Sequence, residues 1–253
     1  MLKKRIPSIH PRKLELVLAT GESVRRGSWS FQQGVMWVLD LNTGQSPAAA
    51  PPRIPVKFGE LIPSDLDALS MALTLESPDH SAKDQALRRF ERGSRCFAFW
   101  TDGGAERRIA CYGWASQVTE WIGEMQIHFR MGAGEAYIWD CFTLADFRRQ
   151  GLYSALLDRI TSALKEDGVR RFWIGSNLEN RPSIKGFENA GFGPAIKVWF
   201  ARPWFVLFFW ITGYPGAPEG LVSAARRAYA GERGLRLGPL VVPRSGRGSG
   251  ESA

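Results

Sequence analysis

The chain has 253 residues, which suits one domain with extensions or two small domains. Its composition, 44% hydrophobic and 23% charged, is that of an ordinary globular protein able to bury a core. The net charge of +8 comes from residues 1–30 and 202–253, while the middle of the chain is close to neutral. This distribution argues against a nucleic-acid groove across the middle, and it fits anionic ligands, an anionic membrane surface or solvated tails.

The cysteines indicate a reducing compartment. Cys96, Cys111 and Cys141 lie in apolar, strand-like runs, with neither the spacing of metal ligands nor an even number for disulfides. We therefore expect buried free thiols, no metal centre and a cytoplasmic location. The basic N-terminus is not followed by the apolar segment of a secretory signal, which agrees with this location.

The N-terminal part of the chain, residues 1–50, predicts a β-rich extension. Apolar runs at 14–18 and 35–41 predict two strands that can form a hairpin extending the main sheet. Residues 45–52 are rich in proline and alanine and have the composition of a linker.

Residues 51–201 predict the main α/β domain. Apolar periodicity and turn signals place its first elements at 54–61 (strand), 63–76 and 81–91 (helices), 95–101 and 108–116 (hairpin), and 125–129 and 135–143 (strands). The later elements are a helix to about residue 166, a strand at 171–175, a helix at 182–190 and a strand at 195–200.

The last strand of the first half leads through a short basic turn into an amphipathic helix. Apolar residues recur at three-to-four spacing from Leu152 to Ile160, directly after Arg148 and Gly151. First-turn amides lack intrahelical acceptors and the helix dipole favours negative charge there, while glycine admits a ligand close to the backbone. The sequence therefore predicts a phosphate-binding turn at 148–154.

The C-terminal segment, residues 202–253, begins with an aromatic run at 204–211 that is too short to span a membrane. The run predicts a final strand or helix packed on the core. Alternatively, it forms an acyl-chain groove or an interfacial anchor with peripheral membrane contact through 202–213. A short helix is expected at 222–230, and disorder at 243–253.

Two motifs in the main domain resemble those of the GNAT acyltransferase superfamily. Arg148, Gly151 and Tyr153 match its coenzyme A pyrophosphate loop, Gln/Arg-x-x-Gly-x-Gly/Ala, except that Tyr153 replaces a small residue. The run at 180–192 is similar to the second motif, Asn-x-x-Ala/Ser-x-x-x-Tyr-x-x-x-Gly-Phe, with Phe187 in place of the tyrosine.

The resemblance implies the GNAT acyl-CoA N-acyltransferase fold, an α/β architecture with a mixed central sheet flanked by helices. Here that fold would carry an N-terminal β extension and a C-terminal aromatic and basic tail. Acetyl-CoA or another acyl-CoA would be the co-substrate, and a small-molecule or sugar amine the acceptor. By the same resemblance the coenzyme contacts are Phe142, Thr143, Leu144, Arg148, Arg149, Gln150, Gly151, Leu152, Tyr153, Ser154, Asn180, Ser183 and Phe187.

The strand at 135–143 offers Asp140 and Glu135 as candidates for the general base. Asp140 lies in an aromatic run, where loss of solvation would raise its pKa, although an aspartate held by backbone amides or an arginine fits equally. Glu135 lies beside a glycine turn, where we expect it to be solvated. His128, on a strand, and Cys141, without a histidine partner, are weaker candidates.

The general acid is missing from its usual place. Many members of the superfamily protonate the departing thiolate with the tyrosine that Phe187 replaces here. Water, Ser183 or Tyr153 can serve instead, or the thiolate leaves without a donor. Asn180 and Ser183 also fit the N-cap of the helix that follows them.

We therefore expect an acyl-CoA-dependent N-acyltransferase, in the first place an N-acetyltransferase that acylates a primary amine. The alternative is a GNAT-fold protein that binds coenzyme A without catalysis, in a sensing, scaffold or membrane-associated role. The core has no basic–aromatic platform of the kind that binds nucleic acid.

Overall fold

The computed structural model describes residues 31–44, 49–76, 82–103, 106–122, 127–201, 206–230 and 240–243. The strands in these ranges are β1 (Phe31–Asp40), β2 (Lys57–Leu61), β3 (Arg95–Gly103), β4 (Glu106–Ser116), β5 (Thr119–Ile122), β6 (Ile127–Arg130), β7 (Glu135–Thr143), β8 (Arg171–Asn177), β9 (Gly193–Ala201), β10 (Val206–Gly213) and β11 (Leu240–Pro243). The α-helices are α1 (Leu66–Glu76), α2 (Ala82–Glu91), α3 (Leu152–Glu166), α4 (Arg181–Asn189) and α5 (Glu219–Ala230).

Nine strands form one mixed sheet, in the order β11-β10-β9-β1-β8-β7-β4-β3-β2. Neighbouring strands are antiparallel except β7 and β8, which are parallel and joined by α3. The remaining two strands, β5 and β6, pair in a separate ribbon. The α/β class and the mixed central sheet flanked by helices are thus confirmed.

Strand β1 lies inside this sheet, antiparallel to both β8 and β9. Its side chains alternate between two cores: Val35 and Trp37 pack with α3 and α4, and Met36 and Val38 pack with α5. A strand buried on both faces reads as a continuous apolar run, which is the pattern seen here. The strand expected at 35–41 is therefore present, but it pairs within the sheet and does not extend it; residues 14–18 lie outside the described ranges.

Strands β7 and β8 pair only at their beginnings, from Glu135 with Arg171 to Ile138 with Ile174. Beyond Ile138, β7 continues beside β4 alone, with a register shift opposite Gly113. Asp140 has φ 45° at this point, the geometry of an extra residue in a bulged strand. The two strands diverge after the bulge and leave a gap between their C-terminal ends.

The aromatic run near the C-terminus supplies β10, which pairs with β9. Trp210 on this strand is 52% exposed. α5 includes the helix expected at 222–230, and it packs on the face of the sheet opposite α3. Within the described part of the chain, no helix has both the length and the apolar character needed to cross a bilayer.

Arg171 ties the beginnings of β7 and β8 to the end of β1. Its guanidinium binds Asp40 at 2.8 Å and Glu135 at 2.7 Å. The two carboxylate side chains are only 7% and 12% exposed, respectively. Glu135 also accepts a hydrogen bond of 3.0 Å from the indole of Trp173.

We expect Arg171→Met to lower the free energy of unfolding by about 3–5 kcal/mol, because two poorly exposed carboxylates lose their partner. Urea denaturation followed by circular dichroism measures the change. Arg108→Met is the matched control: its pair with Asp146 is 52% and 65% exposed, so its loss should cost less than about 1 kcal/mol. Equal effects of the two substitutions would contradict this assignment.

Candidate active site

The turn between β7 and α3 is built to present backbone amides. Arg149 and Gly151 both adopt the left-handed conformation, with φ of 64° and 75°. Gly151 is the N-cap of α3, and the amide of Ala155 makes the helix's first bond, to the Gly151 carbonyl at 3.3 Å. The amides of Leu152, Tyr153 and Ser154 precede that bond and have no acceptor within the helix. The turn therefore has a local backbone geometry that can bind an anion.

Side chains and backbone around the turn hold its shape. Arg148 donates through Nε to the carbonyl of Thr143 at 3.2 Å, and its guanidinium lies 5.3 Å from the Phe142 ring centroid. Arg148 is thus folded back on the end of β7. On the other side, the amide of Arg53 donates to the Gln150 carbonyl at 2.9 Å, so the segment after the linker packs on the turn.

The end of β7 directs one backbone amide into the gap. Leu144 donates its amide to the Ala110 carbonyl of β4 at 3.0 Å, and its side chain is buried. Since the ladder alternates along an antiparallel strand, Thr143 points its amide and carbonyl away from β4, toward the gap. Of these two residues, Thr143 and not Leu144 therefore has its amide directed toward the gap.

Asp140 lies at the mouth of the gap and is bound to an arginine. Its carboxylate makes an ion pair with Arg89 of α2, whose guanidinium also lies over the rings of Trp139 (4.7 Å) and Trp114 (5.1 Å). The aromatic surroundings expected for Asp140 are present, but they act by holding its cationic partner. Asp140 is therefore an oriented group that a ligand can still contact, with its side chain 31% exposed.

Glu135 does not reach the gap. It lies at the opposite end of β7 from Thr143 and is bound to Arg171 and Trp173. The expectation that it is solvated was wrong, because the ring of Trp173 and the guanidinium enclose it. Its role in the structure is to join β7 to β8.

The other titratable candidates do not form a nucleophilic centre. Burial raises the pKa of the Cys141 thiol well above its ordinary value, and it raises that of Cys111 to about 12. A buried, protonated thiol is a poor nucleophile. His128 is exposed on β6, where its ring lies 4.9 Å from that of Trp121.

Tyr153 points toward α4. Its ring packs on Gly186 and lies 6.2 Å from the ring of Phe187. Burial raises the pKa of the Tyr153 phenol well above its usual value, the nearby Cys141 raises it further, and a hydrogen bond with Ser183 offsets part of the rise. The phenol therefore lies among α3, β7 and α4 and stays protonated at neutral pH.

The second motif supplies a helix cap and a core residue. The Asn180 side chain accepts the Ser183 amide at 3.3 Å and caps α4, as its sequence pattern suggests. Phe187 is 1% exposed and packs against Trp37 and Phe192. A coenzyme contact through the Phe187 side chain is therefore not supported, since the ring is enclosed in the core.

A cavity of about 690 Å³ opens beside the gap. Its wall includes Asp140 of β7 and Asn177 of β8, and further lining residues come from α2, β1, β5, β9 and α5. Three arginines line it: Arg88 and Arg89 of α2, and Arg92 in the turn directly after that helix. The sequence analysis did not single out these arginines, although the four-residue spacing of Arg88 and Arg92 predicts that the two lie on the same side. Among the described residues, no group of three or more His, Cys, Asp and Glu side chains is placed to hold a metal ion.

The sequence profile of the acetyltransferase (GNAT) family matches residues 69–192, just under half of the chain. The matched segment contains β7, the turn at 148–154 and α4. Residues 69–192 are therefore a GNAT acetyltransferase domain, and it holds these elements. No curated protein sequence matches the chain significantly.

Solved structures show the same fold at low sequence identity. A GCN5-related N-acetyltransferase from Sphaerobacter thermophilus matches 70% of this chain and 53% of its own, with 17% identity and a TM-score of 0.51. An acetyltransferase of the GNAT family from Colwellia psychrerythraea matches 69% and 56%, with 14% identity and a TM-score of 0.49. An aminoglycoside 6'-N-acetyltransferase from Acinetobacter baumannii matches 55% and 91%, with 19% identity and a TM-score of 0.42. This chain spans about half the length of the first two.

Gly186 tests the position of the Tyr153 ring. A Cβ added at Gly186 would lie 2.4 Å from Cδ1 of Tyr153, so we expect Gly186→Ala to destabilise the protein by about 1–3 kcal/mol. The same change in a Tyr153→Ala background should be close to neutral, because the clash is gone. Urea denaturation of the four proteins in this cycle measures the coupling.

Gly220→Ala is the control for helix propensity, since nothing lies within 4 Å of the added Cβ in α5. It should stabilise the protein by about 0.5–1 kcal/mol. Additive effects of the substitutions at positions 153 and 186 would show that the ring lies elsewhere.

Proposed function

We propose that this protein is an acyl-CoA-dependent N-acyltransferase that transfers an acetyl group, or another acyl group, to a primary amine. The observation that carries the proposal is the position of the open first-turn amides of α3 at the end of the gap between β7 and β8. An anion held at that turn would place the remainder of an elongated ligand in the gap. The resemblance of the turn to the coenzyme A loop supports the pyrophosphate as that anion.

In this proposal the coenzyme arm runs beside Phe142 and Thr143. The Thr143 amide, directed into the gap, would donate to the thioester oxygen as negative charge develops on it. The amine would enter from the cavity, with Asp140 as its ligand or base. Glu135 is not proposed for this role, because Arg171 and Trp173 occupy its carboxylate.

In the proposed transfer the amine loses one proton and the thiolate gains one. The amine nitrogen attacks the carbonyl carbon, a carbon–nitrogen bond forms, and the carbon–sulfur bond breaks. The attacking nitrogen loses a proton through Asp140 or a water it orients, and the departing thiolate gains one. We propose Tyr153, hydrogen-bonded with Ser183, as the donor to sulfur, since Phe187 cannot act.

We propose that the protein is located in the cytoplasm, which is a reducing environment. The support for this location is that all three cysteines are free thiols in the structure.

Calorimetry with acetyl-CoA tests the proposed site. We expect micromolar binding by the wild type and a loss of about a hundredfold or more in Gly151→Glu, because an added carboxylate would repel the pyrophosphate. Gly151→Gln is the matched control: it imposes the same strain at φ 75° without the charge, so it should bind more tightly than Gly151→Glu. No binding by folded wild-type protein would overturn the proposal.

Tyr153→Phe tests the proton donor while keeping the ring that packs on Gly186. We expect kcat with any accepted amine to fall about ten- to a hundredfold, with the Kd for acetyl-CoA unchanged. Because burial raises the pKa of Tyr153, the wild-type rate should show no alkaline loss from this group below about pH 10. Unchanged kcat in Tyr153→Phe would exclude the phenol as the donor, and binding without turnover of any amine would favour a non-catalytic coenzyme-binding role.

A further inference from the structure

The cavity beside the gap has an unusual distribution of charge for a pocket that must admit an amine. Three arginines at the end of α2 line it together with the carboxylates of Asp140 and Glu120: Arg88 and Arg89 in the helix, and Arg92 directly after it. A site that recognised only an ammonium group would need negative charge and no guanidinium groups. The three arginines differ in the partners that each already has within the protein.

Arg89 is committed to the protein. Its guanidinium pairs with Asp140 and is enclosed by the rings of Trp114 and Trp139, and its side chain is 17% exposed. Breaking this arrangement would uncover two aromatic rings and release Asp140. We assign to Arg89 the positioning of Asp140 at the mouth of the gap.

Arg92 contributes only a long contact to its acidic neighbour, Glu120. Glu120 is 4% exposed and accepts from the Ser116 hydroxyl at 2.6 Å, the Trp121 amide at 3.1 Å and the Ser94 hydroxyl at 3.3 Å. The Arg92 contact with it is longer, at 3.4 Å, and the Arg92 side chain is 55% exposed. The carboxylate of Glu120 thus has its shorter hydrogen bonds with the two serines and the Trp121 amide. The guanidinium of Arg92 therefore retains donors for a ligand in the cavity.

Arg88 lies one helical turn before Arg92, whose amide, just past the end of α2, donates to the Arg88 carbonyl at 3.2 Å. The two side chains therefore lie on the same side. The Arg88 side chain is exposed, and among the described residues no carboxylate lies within ion-pair distance of it. Arginines near a helix C-terminus also complement the helix dipole, which would explain their charge without a ligand. That explanation does not account for both side chains lining one cavity that ends at Asp140.

We propose that the acceptor carries an anionic group, a carboxylate or a phosphate, in addition to its primary amine. The anionic group binds Arg88 and Arg92 through charge-assisted hydrogen bonds, which favour planar, fork-shaped donors. The amine then lies toward Asp140 and the gap, in a cavity that Trp121 and Tyr229 also line. This inference rests on the proposed acyl transfer and names the substrate class for it.

Matched pairs of amines test the proposal: phosphoethanolamine against ethanolamine, 4-aminobutyrate against butylamine, and glucosamine 6-phosphate against glucosamine. Thiol release from acetyl-CoA gives kcat/KM, and calorimetry with the coenzyme-saturated protein gives Kd. We expect at least one anionic member to exceed its neutral partner by about tenfold or more in both measurements. The Arg88→Gln, Arg92→Gln double variant should reduce that preference to about unity.

Lys83→Gln is the matched control, because it removes a positive charge from the same helix outside the cavity, where Lys83 pairs with Asp67 at 2.6 Å. It should keep the preference, and all three proteins should bind acetyl-CoA equally. Absence of acetyl-CoA binding in the wild type would be a failure of the proposed function itself.

Three results would overturn the substrate class while leaving acyl transfer intact. The first is that neutral amines bind or react as well as their anionic partners. The second is that the preference survives the double substitution. The third is that none of the anionic probes binds at millimolar concentration a protein that does bind acetyl-CoA.

Discussion

The divergence of β7 from β8 is the constraint on which the site depends. Two parallel strands that stayed paired would leave no space for a ligand between them. The bulge at Asp140 ends the pairing, and Gly113 opposite it makes the bulge possible: a Cβ there would lie 2.7 Å from the sulfur of Cys141. Everything that follows along the chain, from the Thr143 amide to the first turn of α3, is positioned by this opening.

The two departures from the family's motifs are connected by packing. The larger residue at position 153 places its ring over Gly186, next to the ring of Phe187. The motif's usual tyrosine is thus absent from α4, while a phenol from α3 lies near Ser183 and Cys141. Under the proposed mechanism the hydroxyl group has been moved from one helix to its neighbour, and the structure has compensated for the ring's volume with a glycine.

Local patterns in the sequence predicted the elements that carry the turn. β7 has the predicted bounds, and α3 begins at the predicted glycine, because strand alternation, helical periodicity and capping are encoded by near neighbours. The position of β1 could not be predicted, since its partners lie far along the chain and an apolar run does not specify which strands it joins. An arginine partner for Asp140 was among the alternatives, but its identity as Arg89 could not be predicted, for the same reason. The enclosure of Glu135 and the arginine-lined cavity also escaped prediction. Each depends on elements brought together by the sheet and not by sequence proximity.

The most direct measurement of the central claim is a crystal structure of the protein with coenzyme A. The account predicts the pyrophosphate at the amides of Leu152, Tyr153 and Ser154, and the arm between the diverging ends of β7 and β8. It further predicts the thiol within reach of the Tyr153 phenol, on the side of the gap that faces the cavity. A coenzyme bound away from this turn, or a gap filled by protein side chains in the complex, would contradict the account.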